Sequence, residues 1–522
     1  MNRTYEKFGL AKSTAVVSFF TLLSRFSGFF RDVLVARFFG ATVWTDAFFV
    51  AFRIPNFMRR LFAEGSFSLA FVPVLNEIKT QQSEVYLKAF INHIFGALLA
   101  ALLVVVALME LMAPGVISVF APGLLDEPTG VFDSAVTMLR ITLPYLLLIS
   151  LVAFSAGILN SFNRFAVPAA TPILLNASLI VAAIYFRDDF NVPVVALAWG
   201  VLAAGVLQLC VQIPALIRLG IVPIPVFRIH DPEVKKVMKL MLPTLFASSV
   251  AQINLLIDTL IASMLPLVAS ITFLYYSDRL MEFPLGLFGI AISTVILPKL
   301  SQAFAAKDSE DYQKTMRWAM SLAMLVAIPS AVGLFMLAKP VIFTLFTYHK
   351  FTVQDALFTS YSLMVYMLGL PAFIAIKILL PAFYARKDPK TPVRIAVKAM
   401  LVNVVLNVVF VALLYWMNVI SLHMGLALAG VGSAWLQCFW LYQRLKQDGI
   451  ITQSLIARDY LIKLLVAVLL MSLTLWLMLQ RMGDWMQWLW YQRLGNLSLL
   501  IITAVMVYFL VLWLLKAHKK LI

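Results

Sequence analysis

Apolar runs of about 20 residues, parted by short polar turns, recur along the whole chain. Fourteen of them read as membrane spans, at about 14–38, 45–75, 89–112, 133–158, 166–186, 193–217, 237–264, 268–298, 317–338, 356–380, 392–415, 421–443, 460–480 and 496–516. A β-barrel would show short alternating segments instead. The pattern predicts an all-α polytopic membrane protein. The second and eighth spans are long enough to tilt, to kink at Pro55 and Pro284, or to run out of the bilayer.

A weak repeat runs through these spans at an offset of about 220–226 residues. Ser68 to Leu75 resembles Ser293 to Leu300, Thr171-Pro172 resembles Thr391-Pro392, and Asp32 falls opposite Asp258. The repeat predicts two six-helix lobes around a central cavity, at 1–220 and 221–445. Residues 446–522 then form a two-helix appendage. Six spans per unit keep both copies in the same orientation, related by an axis along the membrane normal.

Charge gives the orientation. With the N-terminus inside, the cytoplasmic segments hold 27 of the 41 Lys and Arg, the external ones 7, and the spans themselves 7. The split predicts both termini in the cytoplasm. The net charge of +16 is thus a loop bias, not a nucleic-acid surface. Composition agrees: the 522 residues are 62% hydrophobic and 13% charged, with mean hydropathy +0.94. Cys210 and Cys438 both lie in apolar segments and read as small core residues. The first apolar run is interrupted by Arg25 and lacks a convincing cleavage site, so no cleavable signal peptide is expected. No Walker loop, HExxH or nucleophile elbow occurs, and none of the five histidines pairs with another His or with Cys. No metal or cofactor is expected. Transport would then draw on an ion, the membrane potential or a partner.

The charged residues inside the spans change the picture most. A central Arg or Asp costs a membrane helix roughly 2.5–3.5 kcal/mol, so such groups face a bundle interior or a watery cavity. Residues 24–64 concentrate them: Arg25, Arg31, Asp32, Asp46, Arg53, Arg59, Arg60 and Glu64. Arg25 and Asp32 share a helix face at i, i+7, while Ser24, Gly28 and Arg31 line the neighbouring one. Asp46, Arg53 and Arg60 repeat at i, i+7, i+14, with Glu64 one turn on. The eighth span opens with Asp278, Arg279 and Glu282 on one side of a turn. Lys377 in the tenth span is a further cation. Arginine suits a phosphate-bearing ligand, since its planar fork gives parallel hydrogen bonds and stays charged. The alternative for each is a structural ion pair, with Arg60 and Glu64 or with Lys377 and Asp258.

Several long stretches resemble the MurJ (MviN) family, the proposed lipid II flippases of the multidrug/oligosaccharidyl-lipid/polysaccharide exporter superfamily. They are SRFSGFFRDVLVARFFGATVWTDAFFVAFRIPN, RRLFAEGSFSLAFVPVL, LNSFNRFAVPAATP, YYSDRLMEFPLGLFGIAISTVILP and PAFYARKDPKTPV. The resemblance runs from about Ser18 to Arg444. It implies an alternating-access bundle that moves lipid II, the undecaprenyl-diphosphate peptidoglycan precursor, from the cytoplasmic to the periplasmic leaflet of the inner membrane. It places the family's essential arginines on Arg25, Arg31, Arg59 and Arg279, and its functional acids on Asp46, Glu64, Asp278 and Glu282; Asp32 joins these as a supporting acid. Ser24, Arg53 and Lys377 are weaker candidates. It assigns the last two spans to a groove for the lipid tail. Expected partners are lipid II, membrane lipids and cell-wall synthesis proteins, with no nucleic acid. Two rivals stay open: a flippase for another lipid-linked oligosaccharide, and a cation-coupled drug exporter. Clustered arginines disfavour the second. A membrane enzyme would need acidic or histidine clusters that are missing, and a scaffold would not need buried arginines.

Overall fold

The structure is a computed structural model describing residues 2–60, 67–127, 129–228 and 231–517. Eleven helices among the described residues are long and apolar enough to cross a membrane. Helix also covers most of the first, second and seventh predicted spans, which carry more charge or are shorter. Packing divides the chain into two compact units, Met1–Met264 and Leu265–Ile522.

The first unit contains α1 (Asn2–Phe39), α2 (Val43–Arg59), α3 (Ser68–Gln81), α4 (Glu84–Leu111), α5 (Ala113–Phe120), α6 (Val131–Ser161), α7 (Ala166–Val181), α8 (Val195–Arg218) and α9 (Pro232–Ser263). Helix α6 is its centre and packs on α2, α3, α4, α5 and α8, while α7 joins α1 to α8. Its Leu139, Leu143, Phe154 and Ile158 are fully buried. Around Phe154 the rings of Phe67, Phe71 and Phe95 lie within 5.1–6.1 Å, and Phe90 stacks on Phe71. Such offset aromatic packing holds helices together where lipid offers no hydrophobic drive.

Helix α2 runs through Pro55 without ending. Proline has no N–H, so the Ala51 carbonyl loses its helical donor. The buried Thr142 hydroxyl on α6 lies 3.3 Å from that carbonyl and 3.0 Å from Leu139 O, sharing its one proton between them. A neighbouring helix thus supplies the bond that proline removes.

The repeat expected from sequence has its packing boundary elsewhere. The sequence repeat begins near 220, yet α9 packs on α2, α3, α4 and α5 and belongs to the first unit. The segment before α9 explains this. Val226 N donates to Asn92 O at 3.2 Å and Ile224 N to the Asn92 side chain at 2.9 Å. His93 Nδ1 lies 2.8 Å from Asp231, whose other oxygen caps α9 at Glu233 N. This strap crosses α4 at Gly96, where a Cβ would lie 2.3 Å from Val226 O. Gly96→Leu should therefore lift the strap and destabilise the protein by about 1–3 kcal/mol, the usual effect of overpacking. Thermal unfolding in detergent reads this as a lowered melting point; an unchanged midpoint would show that the strap is not held there.

The second unit contains α10 (Ser270–Pro284), α11 (Ile290–Ala305), α12 (Ser309–Met336), α13 (Ala338–Leu345), α14 (Val353–Tyr384), α15 (Lys390–Trp416), α16 (His423–Gln447), α17 (Arg458–Arg481) and α18 (Trp490–Leu514). Its order echoes the first: α4 and α5 have 28 and 8 residues, as do α12 and α13. The turns repeat too. Asn163 and Lys387 both take positive φ, 59° and 60°, after α6 and α14. Helices α10 and α11 are joined by a π-helical turn, Leu285–Gly289, directly after Pro284. The expected disturbance at this proline is thus a wider turn inside a continuous helix.

The last two helices dock on α12 and α13. Tyr508 OH donates to Leu325 O at 2.7 Å. The buried Arg493 donates to three backbone carbonyls, Trp488, Met486 and Phe343, at 2.9, 3.1 and 3.4 Å. Trp476, Phe509 and Trp513 on these helices are exposed, as lipid-facing residues are.

Candidate substrate site

The charged residues of the first unit are held by polar groups from other helices. Arg31 forks onto one oxygen of its neighbour Asp32, with Nε at 2.9 Å and Nη2 at 2.6 Å. Its Nη1 donates to Asn176 Oδ1 on α7 at 3.0 Å. Asn176 in turn donates to Ser24 O at 3.0 Å and Ser27 Oγ at 2.9 Å on α1. Arg31 and Asp32 are 6% and 2% exposed, so this is a buried, hydrogen-bonded ion pair. Such a pair adds little net stability, but losing one partner strands a buried charge. Ser24 takes part through its carbonyl.

Arg25 shares the inner part of α1 and is half-buried. It has no hydrogen-bond or ion-pair partner among the described residues. The bond to Asp32 that the i, i+7 spacing would allow Arg25 is made instead by Arg31.

On α2 exposure is graded along the predicted face: Asp46 is buried, Arg53 half-buried and Arg60 exposed. Thr42 caps this helix through a reciprocal pair with Thr45, which sets Asp46 near the helix N-terminus where negative charge is favoured. Arg53 Nη1 donates at 2.5 Å to the buried Thr259 on α9, and Arg60 Nη1 to Gln252 at 3.4 Å. Both tie α2 to α9. Arg59 Nε donates to Asn56 at 3.2 Å. Tyr145 on α6 is buried beside α8. Gly205 on α8 leaves room for that ring, since a Cβ there would lie 2.8 Å from Tyr145 Cδ2. Glu64 lies outside the described residues, and so does any pair it forms with Arg60.

In the second unit Arg279 Nη1 donates to Glu282 at 3.2 Å, both about 40% exposed. Asp278 adjoins them and is half-buried. The buried Ser277 hydroxyl lies 2.8 Å from Thr359 O on α14 and fixes this turn. Lys377 on α14 runs beside the π-helical turn, its Cγ 3.6 Å from the Cβ position of Gly289. It is half-buried with no ion-pair partner among the described residues.

The first unit thus gathers Arg25, Arg31, Asp32, Arg59 and Asp46 on two adjoining stretches of chain. The second carries Asp278, Arg279 and Glu282 on one turn of α10, and Lys377 on α14 beside the π-helical turn. Sequence reading misses Asn176 and Thr259. A lone amide in the apolar run of α7 is the signal that could have found Asn176. Thr259 carries none, since Thr is ordinary in such helices. No group of three or more His, Cys, Asp or Glu that could hold a metal occurs among the described residues.

Comparison with known proteins supplies the family. The family model described as lipid II flippase MurJ matches residues 35–493. A Vibrio cholerae protein named probable lipid II flippase MurJ is 42% identical over 98% of this chain and 97% of its own length. A Burkholderia cenocepacia protein named lipid II flippase MurJ is 43% identical over 85% of each chain. A solved lipid II flippase MurJ in an inward closed conformation is 27% identical, with TM-score 0.80 over 95% of this chain and 98% of that one. An inward-facing multidrug transporter of the MATE family is 13% identical at TM-score 0.66, over 84% of this chain and 99% of that one, a likeness of fold alone. On nearly full-length identity and on fold together, the chain belongs to the MurJ lipid II flippase family.

Proposed function

We propose that this protein flips lipid II from the cytoplasmic to the periplasmic leaflet of the bacterial inner membrane, with both termini in the cytoplasm. The observation that carries the reading is the 42% identity over 98% of the chain to a protein named for that activity. The physical need matches the residues. A diphosphate with sugars and peptide cannot cross hydrocarbon unaided, while the polyprenyl tail can stay in lipid. Arg25, Arg31, Arg59 and Arg279 are the cations that take the diphosphate, and Asp32, Asp46, Glu64, Asp278 and Glu282 hold or release them between states. Neutralising the arginines with substrate lowers the penalty of closing one side, which is what alternating access requires. Net charge moved with the substrate couples the cycle to the membrane potential, at about 2.3 kcal/mol per charge per 100 mV.

Native mass spectrometry of the purified protein tests this, with lipid II, an undecaprenyl-linked O-antigen unit and a phospholipid in competition. Selective retention of lipid II is expected. Equal retention of all three would overturn the substrate assignment and leave only a transporter of this fold.

A further inference from the structure

A second cationic site lies further toward the N-terminus along α1. A cavity of about 350 Å³ is lined by Val16 of α1, Asn163, Arg164 and Phe165 of the turn after α6, Val167 of α7, and Arg218 of α8. Val16 to Arg25 is nine residues along α1 and Val16 to Arg31 fifteen, roughly 14 and 22 Å of helix, so the cavity is separate from the arginines already described.

Its chemistry is one-sided. Arg164 and Arg218 line it, and no carboxylate joins them among the described residues. Neither Arg164 nor Arg218 has a hydrogen-bond or ion-pair partner among the described residues. Elsewhere in this unit the exposed Lys236 sits 2.9 Å from Glu77, the half-buried Arg187 3.3 Å from Asp188, and the half-buried Lys79 donates to Ser161 O at 2.6 Å. The rest of the wall is apolar, with Val16, Phe165, Val167 and Ala215. Ile213 and Ile217, beside Arg218, are 39% and 58% exposed. The position is also particular. The spans Ala166–Asp189 and Val195–Arg218 begin and end here, which is where hydrocarbon gives way to headgroups. Two unpaired forks over an apolar wall at that depth match a phosphate with acyl chains attached.

From these we infer that the cavity binds the phosphate headgroup of an anionic phospholipid. Arg164 and Arg218 hold the phosphate, and its chains lie along α7 and α8. The bound lipid bridges α1 to α7 and α8 and so fixes the stretch of α1 that precedes Arg25 and Arg31. The reading needs only that the chain spans a membrane and does not depend on the transported substrate.

The test is native mass spectrometry of the full-length protein titrated with phosphatidylglycerol, with phosphatidylcholine, or with inorganic phosphate alone. Arg164→Ala/Arg218→Ala runs beside a control of equal charge change, Lys235→Ala/Lys239→Ala. Loss of one tightly held phosphatidylglycerol from the first variant only, with affinity weakened about tenfold or more, is expected. Equal retention by both variants and wild type would overturn the site. Phosphatidylcholine held as tightly as phosphatidylglycerol would overturn the anionic selectivity. Inorganic phosphate displacing the lipid at low millimolar concentration, or binding equally without it, would overturn the lipid as ligand. A thermal melt of both variants checks folding; a melt lowered for the first variant even in lipid-free detergent would count against the site and for a structural role.

Discussion

Arg31→Ala is expected to abolish lipid II flipping and also to lower the stability of the first unit, by about 3–5 kcal/mol. The stability effect follows from Asp32, which is 2% exposed and takes two bonds from Arg31 on one oxygen. Without the guanidinium its carboxylate is buried and Asn176 loses its donor. The two losses separate in a double variant. Arg31→Ala/Asp32→Asn removes the buried charge that Arg31 faced and should recover most of the stability, read by thermal unfolding in detergent. Flipping, read as complementation of a depleted strain, should stay lost if Arg31 meets the diphosphate. Recovery of both together would reduce Arg31 to a partner for Asp32. Arg31→Lys keeps the charge but loses the fork that spans Asp32 and Asn176, so it should behave closer to alanine than to wild type.

Arg25→Ala should separate function from stability without a second substitution. The residue is half-buried and has no polar partner among the described residues, so its removal leaves no stranded group. Its stability cost should stay under about 1 kcal/mol. A charge-assisted hydrogen bond to phosphate is worth about 1.5–3 kcal/mol, so lipid II affinity should fall roughly 10–100-fold. Native mass spectrometry measures the affinity, and the thermal midpoint measures the stability. Unchanged lipid II binding would show that Arg25 does not touch substrate. A large drop in midpoint would show that it has a structural partner after all.

Helical class could be read from the chain alone because hydrocarbon imposes it locally. A backbone in lipid must satisfy its own hydrogen bonds, so an apolar run of sufficient length becomes a helix whatever surrounds it. The charged residues were also visible locally, because each is conspicuous inside such a run. Helices α4 and α5 have the same lengths as α12 and α13, 28 and 8 residues, and Asn163 and Lys387 both take positive φ.

Partnership was decided only by tertiary structure, because it depends on which polar groups meet across helices. Face geometry on α1 suggested Arg25 with Asp32, seven residues apart. The fold pairs Asp32 with the adjacent Arg31, because Asn176, 145 residues away, holds the far side of that guanidinium. Arg53 reaches Thr259 only because α9 packs on α2, and α9 packs there because a strap at Gly96 ties it to α4. The Ala51 carbonyl freed by Pro55 finds a donor on α6 that no local pattern announces. Hydrophobic periodicity records one helix against its solvent. The satisfaction of buried polar groups records helices against each other, and distance along the chain does not limit it.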